Sequence, residues 1–167
     1  MRLEPQPNGD TVAMVALHPD LPEEQIFTEM VFLVDRSGSM SGSRINQVKD
    51  TLQIFLRSLP EGTLFNIIGF GSRFEKLFPE SKEYNESTLQ TATTHVEKMF
   101  ANLGGTNLLS PLQAIFAEKA KEGIPRQLFV LTDGEVDNTQ ACLDEVRLHA
   151  NTTRVFTFGI GAVCTTL

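Results

Sequence analysis

Apolar positions along the chain fall into two kinds of run. Mainly apolar blocks rich in β-favouring residues occupy residues 30–34, 63–70, 128–132 and 153–160, and blocks of this length read as strands, those at 30–34 and 63–70 buried on both faces. Between them, apolar residues recur at spacings of three and four. Ile45, Val48, Leu52, Phe55, Leu56 and Leu59 predict an amphipathic helix over residues 44–58 that stops before Pro60-Glu61-Gly62. Leu89, Ala92, Val96, Met99, Phe100 and Leu103 predict a second over about residues 87–102, with Ser87 and Gln90 spaced as a capping box. Ser110, Pro111 and Gln113 open a third, buried through Leu112, Ile115 and Phe116. Asp137 and Gln140 repeat the capping spacing ahead of a fourth, over about residues 139–150.

Residues 73–78 read as a further short strand, separated from the block at 63–70 only by Gly71-Ser72. So brief a link predicts an antiparallel hairpin at the sheet edge rather than a crossover. The alternation of strands and helices then predicts an α/β fold: a three-layer, doubly wound, Rossmann-like and mostly parallel sheet, with one antiparallel edge strand and helices on both faces. Residues 1–27 differ. Pro5, Pro7, Pro19 and Pro22 punctuate them around a strand-like run at 11–17, which reads as an N-terminal linker or edge-strand segment, the seam of a longer protein. The domain itself is expected over residues 28–167.

The strand at 30–34 ends abruptly in Asp35, and oxygen-bearing side chains follow at alternate positions, Ser37 and Ser39, around Gly38. One carboxylate and two neutral hydroxyls in a tight turn suit a small hard cation such as Mg²⁺. Asp, Ser and Gly are also ordinary loop and capping residues, and Ser41 or Ser43 capping the next helix is the alternative on this segment alone. The strand at 128–132 ends the same way, in Asp133-Gly134. In an open parallel sheet, ligands gather outside the carboxyl ends of strands where neighbouring connections diverge, so the two aspartates are expected to meet.

Composition narrows the function classes. With 167 residues, 41% hydrophobic and 21% charged, the chain is long enough to bury one globular core. A net charge of −7, with lysines and arginines scattered, argues against general affinity for nucleic acid or anionic lipid. Cys142 and Cys164 fit no metal spacing; they can pair, but reduced thiols in an intracellular, cytoplasmic protein are the simpler reading. His18, His95 and His149 are scattered outside any motif. No secretory segment follows Met1, and the apolar run at 12–17 is too short to insert in a membrane.

Taken together, Asp35-Arg-Ser-Gly-Ser39, Gly104-Gly-Thr106 and Leu131-Thr-Asp133-Gly-Glu135 resemble the metal-ion-dependent adhesion site (MIDAS) of the von Willebrand factor type A (VWA) domain, in order and spacing, over about residues 29–161. The wording of residues 34–40, 70–81 and 127–136 is most similar to the intracellular, VIT-domain-associated branch, which includes the von Willebrand factor A domain-containing protein 5 group. The resemblance implies Ser37, Ser39 and Thr106 as hydroxyl ligands of Mg²⁺, with Mn²⁺ or Ca²⁺ as substitutes, and Asp35 and Asp133 as ligands directly or through water. It implies a protein partner that presents an Asp or Glu carboxylate, and a VIT domain upstream. It also implies that the domain stops short of its last helix and strand. Arg36, between two ligands, is expected either to reach the partner's acid or to face solvent; Glu135 is expected to face solvent or to support the site from behind.

Two other functions compete. A Mg²⁺-dependent phosphotransferase or hydrolase lacks its usual parts here. Ser37 stands where the haloacid-dehalogenase pattern has its second Asp, Gly42-Ser43-Arg44 has no phosphate-loop lysine, and Met40 stands where a nucleophile elbow has Ser. No enzyme is therefore expected. A metal-independent scaffold domain of a larger intracellular assembly is the other alternative.

Overall fold

The structure, a computed structural model, describes residues 2–5, 11–14, 27–121, 123–134 and 136–161. In chain order the elements are β1 (Arg2–Pro5), β2 (Thr11–Met14), β3 (Glu29–Asp35), a short 3₁₀ turn (Gly38–Met40), α1 (Ser43–Ser58), β4 (Leu64–Phe70), β5 (Phe74–Lys76), β6 (Lys82–Glu83), α2 (Glu86–Glu97), α3 (Leu109–Ala117), β7 (Arg126–Thr132), α4 (Thr139–Leu148) and β8 (Thr153–Gly159). β1 and β2 pair antiparallel as a two-stranded sheet. Of the strand expected at 11–17, residues 15–17 lie outside the described residues.

The main sheet runs β5-β4-β3-β7-β8, with β3 at its centre and parallel to both neighbours. β8 is parallel to β7, and β5 returns antiparallel along β4, as the short Gly71-Ser72 link requires. The two-residue β6 continues that same edge of β4. Period-2 alternation on β3 sends Phe32 and Val34 into a core with α1 and α2, through Ile45, Val48, Leu52 and Val96, while Val31 and Leu33 meet Leu112, Ile115 and Cys142 from α3 and α4. Both faces are therefore covered, which is why the strands read as mainly apolar blocks. Among the described residues no helix is long and apolar enough to cross a membrane.

Parallel register also pairs Glu29 with Arg126 at the amino ends of the strands. Both are buried, with Arg126 Nε donating to Glu29 Oε2 at 2.7 Å and Ser81 Oγ to Oε1 at 2.6 Å. Such a pair is tolerable inside because its oxygens are satisfied.

Helix caps or ends depart from the sequence expectations in α2, α3 and α4. α2 is capped by Asn85, whose Oδ1 accepts from the Thr88 N–H while Thr88 Oγ1 accepts from the Asn85 N–H; Ser87 lies inside the helix. α2 also ends at Glu97, five residues early, because the backbone beyond it is drawn toward Arg36. Ser110 likewise lies inside α3, where Asn107 Oδ1 accepts its N–H at 3.1 Å. α4 starts after Asn138, in left-handed conformation, with no side-chain cap from Asp137.

Candidate metal centre

Connections diverge where the chain leaves β3 for β4 on one side and reaches β7 on the other, so the carboxyl ends of β3 and β7 sit side by side. One step beyond the last register pair, Val34 with Leu131, stand Asp35 and Thr132. Asp35 is fully buried; its Oδ1 accepts the Ser37 N–H at 2.8 Å and its Oδ2 accepts the Thr132 hydroxyl at 2.7 Å. Burial pushes its carboxyl pKa up, against hydrogen bonds from Ser37 and Thr132 that pull it down, and the charge of Asp133 adds to the rise.

The chain then turns through the 3₁₀ segment. Ser37 and Ser39 bring their hydroxyls to 3.0 Å of each other. Neither Ser41 nor Ser43 caps α1; its cap position is Gly42, at φ 81°, with no side-chain bond, and Ser37 makes no side-chain capping bond to the 3₁₀ turn. The capping alternative for this serine-rich loop is thus not what the structure uses.

A second loop is tied to the first by backbone bonds. Gly38 N–H donates to Gly104 O at 2.8 Å and Leu103 N–H to Arg36 O at 3.0 Å. Gly104 adopts φ 86°, and a Cβ there would meet Ser72 Oγ at 2.7 Å, so the close approach of this loop to the Gly71-Ser72 turn depends on glycine. Ser72 Oγ in turn accepts the Gly105 N–H at 2.8 Å. This brings Thr106 to the same polar cleft, about 430 Å³, that Ser37 and Ser39 line.

The third loop follows β7. Its Asp133 side chain, 3% exposed, accepts from Arg44 Nη1 at 2.8 Å, and the same Nη1 donates to Ser39 O at 3.0 Å. Asp133 and Ser39 are thus bridged by one guanidinium nitrogen. Asp137 N–H donates to Thr106 O at 3.1 Å and Asp137 lines the cleft. Glu135 lies outside the described residues.

Four of the five expected residues therefore gather around the cleft, Ser37, Ser39 and Thr106 on its wall and Asp133 bridged to Ser39, with Asp35 buried directly behind Ser37. Both expectations for Arg36 are overturned. It is buried and bonds Phe100 O, Asn102 and Glu75, so it neither meets solvent nor reaches toward a partner. Sequence reasoning missed Thr132, Arg44 and Asp137. Thr132 had a signal, as the polar residue closing an apolar strand; Arg44 had none, because its partner lies 89 positions away.

The donor set fits a hard divalent cation. All the side-chain donors are oxygens, three of them neutral hydroxyls, and a carboxylate oxygen can serve a cation while also accepting a hydrogen bond, as both oxygens of Asp35 do. Among the described residues no group of three or more His, Cys, Asp or Glu is arranged to hold a metal, so a shell here depends on hydroxyls and water.

Comparison with known proteins identifies the family and the fold. A family model described as "von Willebrand factor type A domain" matches residues 28–167. The chain is 46% identical over 165 residues to von Willebrand factor A domain-containing protein 5A of Rattus norvegicus, covering 92% of this chain and 20% of that protein, so it spans about a fifth of that relative's length. Among solved structures, manganese-loaded TRAP protein of Plasmodium vivax aligns with a TM-score of 0.65 at 20% identity, over 84% of this chain and 59% of that one. Proximal thread matrix protein 1 from the mussel byssus, solved with a zinc-occupied MIDAS motif, aligns with a TM-score of 0.66 at 18% identity, over 80% and 38%. At these identities the two structures establish the fold.

Proposed function

The chain belongs to the von Willebrand factor type A domain family, and from that premise we infer that it is a non-enzymatic, Mg²⁺-dependent protein-interaction module whose cation takes its last ligand from an acidic side chain of a partner. The observation that carries this reading is the convergence of Ser37, Ser39 and Thr106 on one cleft, with Asp35 behind it and Asp133 beside it. Ser37, Ser39 and Thr106 would hold the cation, with Asp35 and Asp133 contributing directly or through water; Mn²⁺ or Ca²⁺ would substitute. When bound, the cation supplies an electrophilic point for an incoming carboxylate, because neutral hydroxyls cancel little of its charge.

The residues of the chain account for the rest. Thr132 and the Ser37 N–H hold the Asp35 carboxylate in place. The positive end of α1, which starts at Ser43, favours an incoming anion by up to about 1 kcal/mol. The solved relatives carry Mn²⁺ and Zn²⁺, and Mg²⁺ is assigned here on the hardness of an all-oxygen donor set. The partner is a protein, not nucleic acid or a lipid bilayer, in keeping with a net charge of −7. An intracellular setting, with a VIT domain as neighbour in a longer protein, completes the reading, and the free, buried thiol of Cys142 is compatible with it.

Calorimetric titration of Mg²⁺ and Mn²⁺ into the wild type and Asp35→Ala tests this. A single site lost in the variant supports it, and equal heats in both remove the metal from the account. Retention of all bound proteins in EDTA, in pull-downs with wild type and Asp35→Ala, would favour the metal-independent scaffold instead.

A further inference from the structure

Arg36 lies between two residues of the oxygen cluster in sequence, yet its side chain leaves the cleft and runs inward, 7% exposed. It crosses Gly69 of β4 so closely that a Cβ there would meet Arg36 Cδ at 2.5 Å. A path has thus been left open for this side chain near the carboxyl end of a buried strand, where glycine otherwise weakens a sheet. The guanidinium then divides its donors among separate segments. Nε donates to Phe100 O at 2.9 Å, Nη2 to Asn102 Oδ1 at 2.6 Å, and Nη1 to Glu75 Oε2 at 3.1 Å. The Arg36 backbone adds two ties, its N–H to Phe70 O at 2.8 Å and its carbonyl to the Leu103 N–H at 3.0 Å.

Three of these partners, Phe100, Asn102 and Leu103, belong to the loop that ends in Thr106. The same contacts explain why α2 stops at Glu97. Buried guanidinium donors need acceptors, and the segment beyond the helix supplies two of them, the Phe100 carbonyl and the Asn102 side chain, by leaving helical geometry. We propose that Arg36 is a positioning residue that fixes the 98–107 loop, and with it the Thr106 hydroxyl, relative to Ser37 and Ser39. The role rests on the metal-centre reading for its consequence in affinity, though the positioning exists in the metal-free protein. Only arginine suits it, because a rigid planar fork reaches acceptors in several directions where a lysine ammonium reaches one point.

The test compares wild type, Arg36→Met, the milder Asn102→Ala, Thr106→Ala and the double variant Arg36→Met/Thr106→Ala. Mg²⁺ titration of Arg36→Met is expected to show affinity reduced about 10- to 100-fold, the range for a lost supporting contact, with a smaller loss in Asn102→Ala. Arg36→Met should add little once Thr106 is already alanine. An arginine that only stabilises the fold gives additive losses or unchanged affinity, and either result overturns the proposal. A metal-free readout keeps it separable from the metal reading: hydrogen exchange at the Gly38 and Leu103 amides should accelerate at least about tenfold in Asn102→Ala or Arg36→Met while the β7 amides hold. If wild type takes no Mg²⁺, the metal reading falls and exchange decides alone; uniform acceleration across both sets overturns the positioning role.

Discussion

Two neighbouring strands end in aspartate, and the two ends are built differently. At the end of β3, Asp35 is fully buried, both its oxygens are held by neutral donors, and the charge acting on it is that of Asp133, which repels. At the end of β7, the Asp133 carboxylate is paired with Arg44, a guanidinium 44% exposed at the start of α1. The first is a fixed anion that the fold itself destabilises and that gains from a cation brought from outside. The second already carries a cation of its own, held on a long and partly exposed side chain that can swing away. One carboxylate is permanent and the other exchangeable.

The largest effect is expected at the permanent end. Asp35→Asn keeps the shape and the acceptor for the Ser37 N–H but removes the charge, so Mg²⁺ affinity should fall by about 100-fold or more. The metal-free variant should melt no lower than wild type, because a buried charge disfavoured by desolvation has gone. Calorimetry and thermal denaturation without metal check the two halves; a large drop in melting temperature would contradict the description of Asp35 as strained by burial. Next is Thr132→Val, which deletes the hydroxyl donating to Asp35 Oδ2 at nearly constant volume. A buried carboxylate oxygen left without that donor should cost about 1–3 kcal/mol in urea unfolding.

The pH dependence sharpens the contrast. Because the folded carboxyl of Asp35 titrates above its ordinary value, the folded state holds more protons than the unfolded state between the two values. The contribution of Asp35 to the stability of the metal-free protein therefore falls as pH rises through that window, is lowest above it, and recovers below it. Saturating Mg²⁺ should flatten this slope, and Asp35→Asn should remove it; urea midpoints measured across acidic pH in each condition show which holds. The smallest effect belongs to the exchangeable end. Arg44→Gln removes the cation that occupies Asp133, and since a partly exposed pair is worth at most about 1 kcal/mol, Mg²⁺ should bind up to about fivefold more tightly at low salt. Weaker binding would make Arg44 a support of the site instead of its competitor.

What could be read in the chain beforehand follows the same division between local and distant causes. The central strands and α1 were legible because periodicity is a local signal, and β3 and α1 fall where residues 30–34 and 44–58 place them. The meeting of the Asp35 and Asp133 loops was legible because a doubly wound sheet brings the ends of neighbouring strands together, whereas Thr106, in the loop between α2 and α3, was expected only through the family resemblance. The end of α2 was not, because the apolar spacing continues through Met99, Phe100 and Leu103 while Arg36, more than sixty positions earlier, takes the Phe100 carbonyl. The Glu29–Arg126 pair was hidden for a related reason: two charged residues at the rims of apolar blocks become partners only once the register is known. Caps at Asn85 and Asn107 lost out to nearby serines with equally good spacing, a choice that side-chain reach decides and sequence does not.

Anomalous diffraction from crystals soaked in Mn²⁺ tests the central claim most directly. The account predicts one strong peak in the cleft, within coordinating distance of the Ser37, Ser39 and Thr106 hydroxyls and on the Asp133 side of Asp35, absent from Asp35→Asn crystals. A fully soaked crystal with no peak there, or with Mn²⁺ held only by other surface carboxylates, would contradict it.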